Sequence, residues 1–191
     1  MTRGRLEAFS DGVIAIIITI MVLELRPPKG SELASLGPLL PVLASYVLSF
    51  VFVGIYWNNH HHLLHTVRTV SGKILWANLH LLFWLSLVPF ATAWVGQSGG
   101  GVWPAALYGV VLFMASVAFF VLVLAIVALH GDDSELATAI GGNVKGKLSL
   151  ALYASAVGLA FVREWLAYAI YVAVALMWLI PDRRIESRIR Q

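Results

Sequence analysis

Six apolar runs separated by short polar joints govern what this chain can fold into. They cover about residues 7–25, 39–65, 74–95, 102–129, 148–162 and 165–180 of a 191-residue sequence. A bilayer core of about 30 Å takes roughly 20 helical residues to cross. Lipid offers no partner to an unpaired backbone group, so each run is expected to cross as a helix. The joints carry the matching punctuation: Arg26-Pro27-Pro28-Lys29-Gly30 stops the first run, and Gly96 with Gln97-Ser98-Gly99-Gly100-Gly101 stops the third. The last two runs are short for a bilayer and read as a tight helical hairpin around Arg163-Glu164. The expected fold is an all-α integral membrane protein, with residues 1–191 forming one six-helix transmembrane domain.

Composition closes the alternatives. A chain that is 60% hydrophobic and 12% charged, with mean hydropathy +0.85, has too little polar side-chain surface for a soluble domain. There is no cysteine, so neither a disulfide framework nor a thiolate metal site can form. The start, MTRGRLEAFSDG, lacks the short apolar core and small-residue cleavage site of a secretory signal. The pI near 9.4 does not point to nucleic acid, because the basic residues stand at the ends of apolar runs. There they report topology. Arg3, Arg5, Arg68, Lys73, Lys145, Lys147, Arg183, Arg184, Arg188 and Arg190 fall on one side of a six-span chain, against Arg26, Lys29 and Arg163 on the other. Both termini are therefore expected in the cytoplasm, and the basic tail from Asp182 as a solvated or headgroup-associated helix end.

The first run, FSDGVIAIIITIMVLEL, begins with an aspartate and then turns apolar. At 100° per residue Ile16, Thr19, Ile20 and Leu23 form one stripe. From the apolar residues alone, ordinary packing or a lipid-facing surface is the favoured reading. The stripe, however, includes Thr19 and follows Arg5, Ser10 and Asp11, which protein or water must satisfy. Arg5 and Asp11 are six residues apart and do not overlie each other, so each is expected to reach a neighbouring helix. Trp57, Asn58, His60, His61 and His65 end the second run at the same depth, where Asn78 and His80 begin the third. Such a polar belt either fixes helix packing or contacts an ion.

These residues carry a resemblance. Arg5-Leu6-Glu7-Ala8-Phe9-Ser10-Asp11 fits R-x-x-x-F-S-D at the head of the first span, followed by Gly12-Val13, the isoleucine-rich stripe with Thr19, and Leu23-Glu24. Tyr56-Trp57-Asn58-Asn59-His60-His61, Asn78 and Leu85-Ser86-Leu87-Val88-Pro89-Phe90 extend it over the chain. The sequence resembles the transmembrane-protein-175 potassium channel family, in its bacterial single-repeat form. That resemblance implies a homotetramer in the plasma membrane, permeated by potassium or other monovalent cations and needing no cofactor. Each subunit's first helix would line a central pore. Ile16 would then be the main constriction, Thr19 a threonine layer, and Ile20 and Leu23 further apolar layers. Arg5, Phe9, Ser10, Asp11, Trp57, Asn58, His60, His61 and Asn78 would hold that helix in place.

The residues read by themselves agree. No TVGYG-like segment offers a carbonyl filter, and no helix repeats arginine as a voltage sensor does. A ring of isoleucines can instead gate by dewetting. Two other classes are weaker. His61 and His65, at i and i+4, could share a metal, but no acid stands beside them in the sequence. An incidental or inhibitory zinc site ranks above a catalytic one and below plain pairing with Arg5, Asp11 or backbone, so no metal site is expected and a histidine-metal membrane enzyme is disfavoured. A secondary transporter usually shows repeated halves with broken helices, and Pro89 has no counterpart in another run. The glycine stretch opens no phosphate-binding helix and is read as a turn.

Overall fold

A computed structural model of the chain describes residues 1–130 and 144–179. The helices are α1 (Arg3–Val22), a 3-10 segment (Leu33–Leu39), α2 (Leu40–His65), α3 (Gly72–Ser86), α4 (Val88–Ser98), α5 (Val102–His130), α6 (Val144–Ala160) and α7 (Glu164–Leu179). The 131–143 joint and the basic tail beyond Asp182 lie outside the described residues. Among the described residues, three stretches are long and apolar enough to cross a membrane: Leu33–His65, Gly72–Ser98 and Val102–Leu129.

The expected third span is two helices. Pro89 has no N–H to give to Leu85, and its ring crowds that carbonyl, so the ladder breaks one turn earlier. Leu87 N–H bonds instead to the Trp84 carbonyl at 3.2 Å, and α4 restarts with Pro89 in its first turn. α4 then stops at Gly99, whose φ of 66° is left-handed, and Gly100 and Gly101 also have positive φ. That run of glycines forms the turn into α5, a conformation that a Cβ would strain. α1 also differs from expectation. It starts at Arg3, before the apolar run, and ends at Val22, so that Leu23 is already in its closing turn.

α1 packs on α2, α3 and α4, while α5 joins α3 and α4 to the hairpin of α6 and α7. Small residues let these helices approach closely, as membrane packing requires. A Cβ at Gly109 would stand 2.9 Å from Val157, and the Tyr171 hydroxyl crosses that gap to donate to the Ala105 carbonyl at 3.0 Å. Trp76, Trp103 and Trp165 are exposed near helix ends, where an indole suits the boundary between hydrocarbon and headgroups.

Candidate functional site

α1 presents two faces. Leu6, Ser10, Ile14, Ile17 and Met21 recur at steps of three and four and are buried against the bundle. The opposite stripe has no partner among the described residues: Ile16 is 58% exposed, Ile20 45% and Leu23 74%, with Thr19 and Gly12 on the same side. The Thr19 hydroxyl donates to its own helix, to the Ile16 carbonyl at 2.9 Å, which leaves the oxygen's lone pairs turned outward. All four residues of the sequence-predicted stripe therefore share the unpartnered face.

Two polar networks hold α1, one within its buried stripe and one beside it. The first is fully buried. Ser10 donates to the Leu6 carbonyl at 2.9 Å, Asn78 Nδ2 donates to the Ser10 oxygen at 2.9 Å, and Asn78 Oδ1 stands 2.7 Å from His60 Nε2. With its amide nitrogen committed to Ser10, Asn78 Oδ1 must accept, so His60 donates from Nε2. Three helices are thus pinned by side chains that would be costly to leave unpaired in an apolar core. His60 Nδ1 has no hydrogen-bond partner among the described residues.

The second network lies at the more exposed α1–α2 seam. The two helices run antiparallel, and steps of four along α1 meet steps of four along α2. Trp57 Nε1 donates to Asp11 Oδ1 at 3.0 Å. One turn on, His61 Nδ1 is 3.1 Å from Glu7 Oε1 and His65 Nε2 is 3.6 Å from the same oxygen. One further turn brings Arg3 to the His65 carbonyl and to its Nδ1, both at 3.1 Å. The Trp57 and His61 rings stack with centroids 6.0 Å apart.

The expected polar belt is present, but its membership differs. Asp11 is held by Trp57 and not by Arg5, which is exposed and makes no hydrogen bond or ion pair among the described residues. Six residues along a helix turn Arg5 away from Asp11, onto the same unpartnered side as Phe9 and the Ile16 stripe. Asn58 is exposed and stands outside both networks, and His80 pairs along its own helix, accepting from Trp84 Nε1 at 3.0 Å. Glu7 and Arg3 are the residues that sequence reasoning missed. The acid absent from the sequence around His61 and His65 comes from α1. The matched four-residue spacings of Arg3, Glu7 and Asp11 and of Trp57, His61 and His65 are the signal that pairs them. At the other end of α1, Gln97 Nε2 donates to Glu24 at 2.9 Å and ties the helix to α4.

Comparison with known proteins places this arrangement. Residues 5–89 match the profile of the family described as endosomal/lysosomal potassium channel TMEM175. A potassium channel of Chryseobacterium sp. (strain P1-3) is 53% identical over 191 residues, the full length of both chains. A potassium channel of Streptomyces collinus is 33% identical over 186 residues, covering 92% of this chain and 90% of that one. The crystal structure of a lysosomal potassium-selective channel TMEM175 homolog from Chamaesiphon minutus superposes with a TM-score of 0.81 at 27% identity, over 93% of this chain and 96% of that one. Their common fold is all-helical and embedded in a membrane, and the chain belongs to the TMEM175 family of ion channels.

Proposed function

We propose that the protein is a potassium-permeable cation channel of the bacterial plasma membrane. Four copies of the single domain surround a pore lined by α1, and both termini are cytoplasmic. The observation that carries this reading is the outward stripe of Ile16, Thr19, Ile20 and Leu23, on a helix whose rotation two polar networks fix. Two bacterial relatives that cover 100% and 92% of the chain are named potassium channels, which favours potassium as the permeant ion.

In this reading Ile16 forms the narrowest ring, Thr19 the one polar layer, and Ile20 and Leu23 wider apolar rings beyond it. A narrow apolar ring expels water when closed and strips part of an ion's shell when open. Potassium yields that water more readily than sodium, which sets the sign of selectivity. The threonine oxygens, with their protons committed to the helix backbone, are turned to replace part of the lost hydration. Arg5 stands on the same stripe at the entrance. The networks at Ser10 and Asp11 set the rotation of α1, and a helix turned by one residue would present Ile17 in place of Ile16.

Reconstitution tests this reading. Purified protein in liposomes is expected to run as a tetramer and to pass potassium faster than sodium, with Ile16→Ala and Ile16→Asn changing the ratio. Unchanged ratios in both variants would move the constriction elsewhere. Absence of any passive cation flux would remove the channel reading itself.

A further inference from the structure

We propose that Glu7, His61 and His65 form a binding site for a divalent transition-metal ion of the zinc type, and that the bound ion clips the start of α1 to the end of α2. The three side chains each offer one ligand atom, and these atoms lie within 4.8 Å of one another. Zinc bonds of about 2.0–2.2 Å to nitrogen and oxygen put neighbouring tetrahedral ligands about 3.3–3.5 Å apart. The observed separations from Glu7 Oε1, 3.1 Å to His61 Nδ1 and 3.6 Å to His65 Nε2, straddle that range. The two histidines are one helical turn apart, a spacing that lets both rings turn to one ion, and their centroids are 4.5 Å apart. Two imidazoles and a carboxylate suit zinc, cobalt or nickel, whereas magnesium and calcium seek oxygen ligands.

The surroundings fit as well. Side-chain exposures of 18% for Glu7, 38% for His61 and 51% for His65 give the ion an aqueous approach and leave a coordination position to water. The His61 ring is braced by its stack on Trp57, itself held by Asp11. The residue that opposes binding is Arg3. Its Nε lies 3.9 Å from the Glu7 carboxylate and its Nη2 3.1 Å from His65 Nδ1. A metal on His65 Nε2 places the ring proton on Nδ1, facing that donor, so the guanidinium must swing out into solvent as the ion enters.

The site stands independently of the pore; its effect on conduction rests on the reading that α1 lines the ion path. Cobalt titration of the tag-free full-length protein in detergent, followed by visible d–d absorption and zinc displacement, tests the site. One saturable site per subunit is expected. Glu7→Gln, His61→Ala and His65→Ala should each weaken it by at least about tenfold, and Arg3→Ala should tighten it. His65, the most exposed of the three, carries the test if either other variant fails to fold. No saturable cobalt binding, or binding indifferent to both histidine variants, would overturn the site. In liposomes, zinc added on the α1 N-terminal side should lower potassium flux in the parent protein but not in His65→Ala. Intact binding without that effect would leave the site standing and refute the coupling to α1.

Discussion

The two faces of α1 are alike in sequence and unlike in surroundings. Ile14 and Ile17 are 1% and 4% exposed inside the bundle, while Ile16 and Ile20, on the same isoleucine-rich turns, have no partner among the described residues. Hydrophobicity does not distinguish them. Their difference comes from where Ser10 and Asp11 stand around the helix, because those two side chains have fixed partners on α3 and α2 and so set its rotation. A few polar contacts therefore decide which isoleucines pack and which are left for an assembly or an ion path. In lipid, where apolar burial between helices gains little, such contacts and close van der Waals fit carry the specificity.

The sharpest way to break this comparison is to place the same polar side chain on each face. Ile14→Asn buries an amide without a partner, at a cost of about 2–7 kcal/mol, and should abolish the folded protein in size-exclusion chromatography from detergent. Ile16→Asn should remain folded and change cation flux. Equal damage from both would mean that the stripe is tightly packed against apolar partners in the assembly. Next in size is the buried network: Asn78→Leu strips His60 and Ser10 of a shared partner and should lower stability by about 1–3 kcal/mol, read as a lower thermal midpoint. Trp57→Phe keeps the aromatic body but removes the donor to Asp11. At this exposed seam it should cost about 1 kcal/mol, and Asp11→Asn, which retains an acceptor, should cost less. The smallest effect on stability is expected at Thr19→Val, within about 0.5 kcal/mol, while its potassium-to-sodium flux ratio shifts because the only hydroxyl on the stripe is gone.

Much of this was readable from residues. Periodicity grouped Ile16, Thr19, Ile20 and Leu23, and the structure puts them on one unpartnered face. Polar residues at a common depth announced the belt, and Ser10, Asn78 and His60 do meet there. What was missed depends on the register between helices, which no single segment encodes. Glu7 joins His61 and His65 because α1 and α2 lie antiparallel with matched turns, and Arg5 is separated from Asp11 by the rotation of one helix. The break before α4 illustrates a different limit. Pro89 was visible, but a proline inside an apolar run is compatible with either a kink or a full break, and local packing around Leu87 decides between them.

The central claim, that the exposed stripe of α1 faces an aqueous ion path and not lipid, can be tested with cysteine chemistry, since the chain has no cysteine of its own. Only a thiol that meets water ionises and reacts with a charged thiosulfonate. During potassium flux in liposomes, Thr19→Cys, Ile20→Cys and Leu23→Cys should react and lose conduction. Val110→Cys and Leu124→Cys, exposed on α5, should stay inert. Unreactive thiols along the α1 stripe in a conducting protein would contradict the claim and return that face to the lipid.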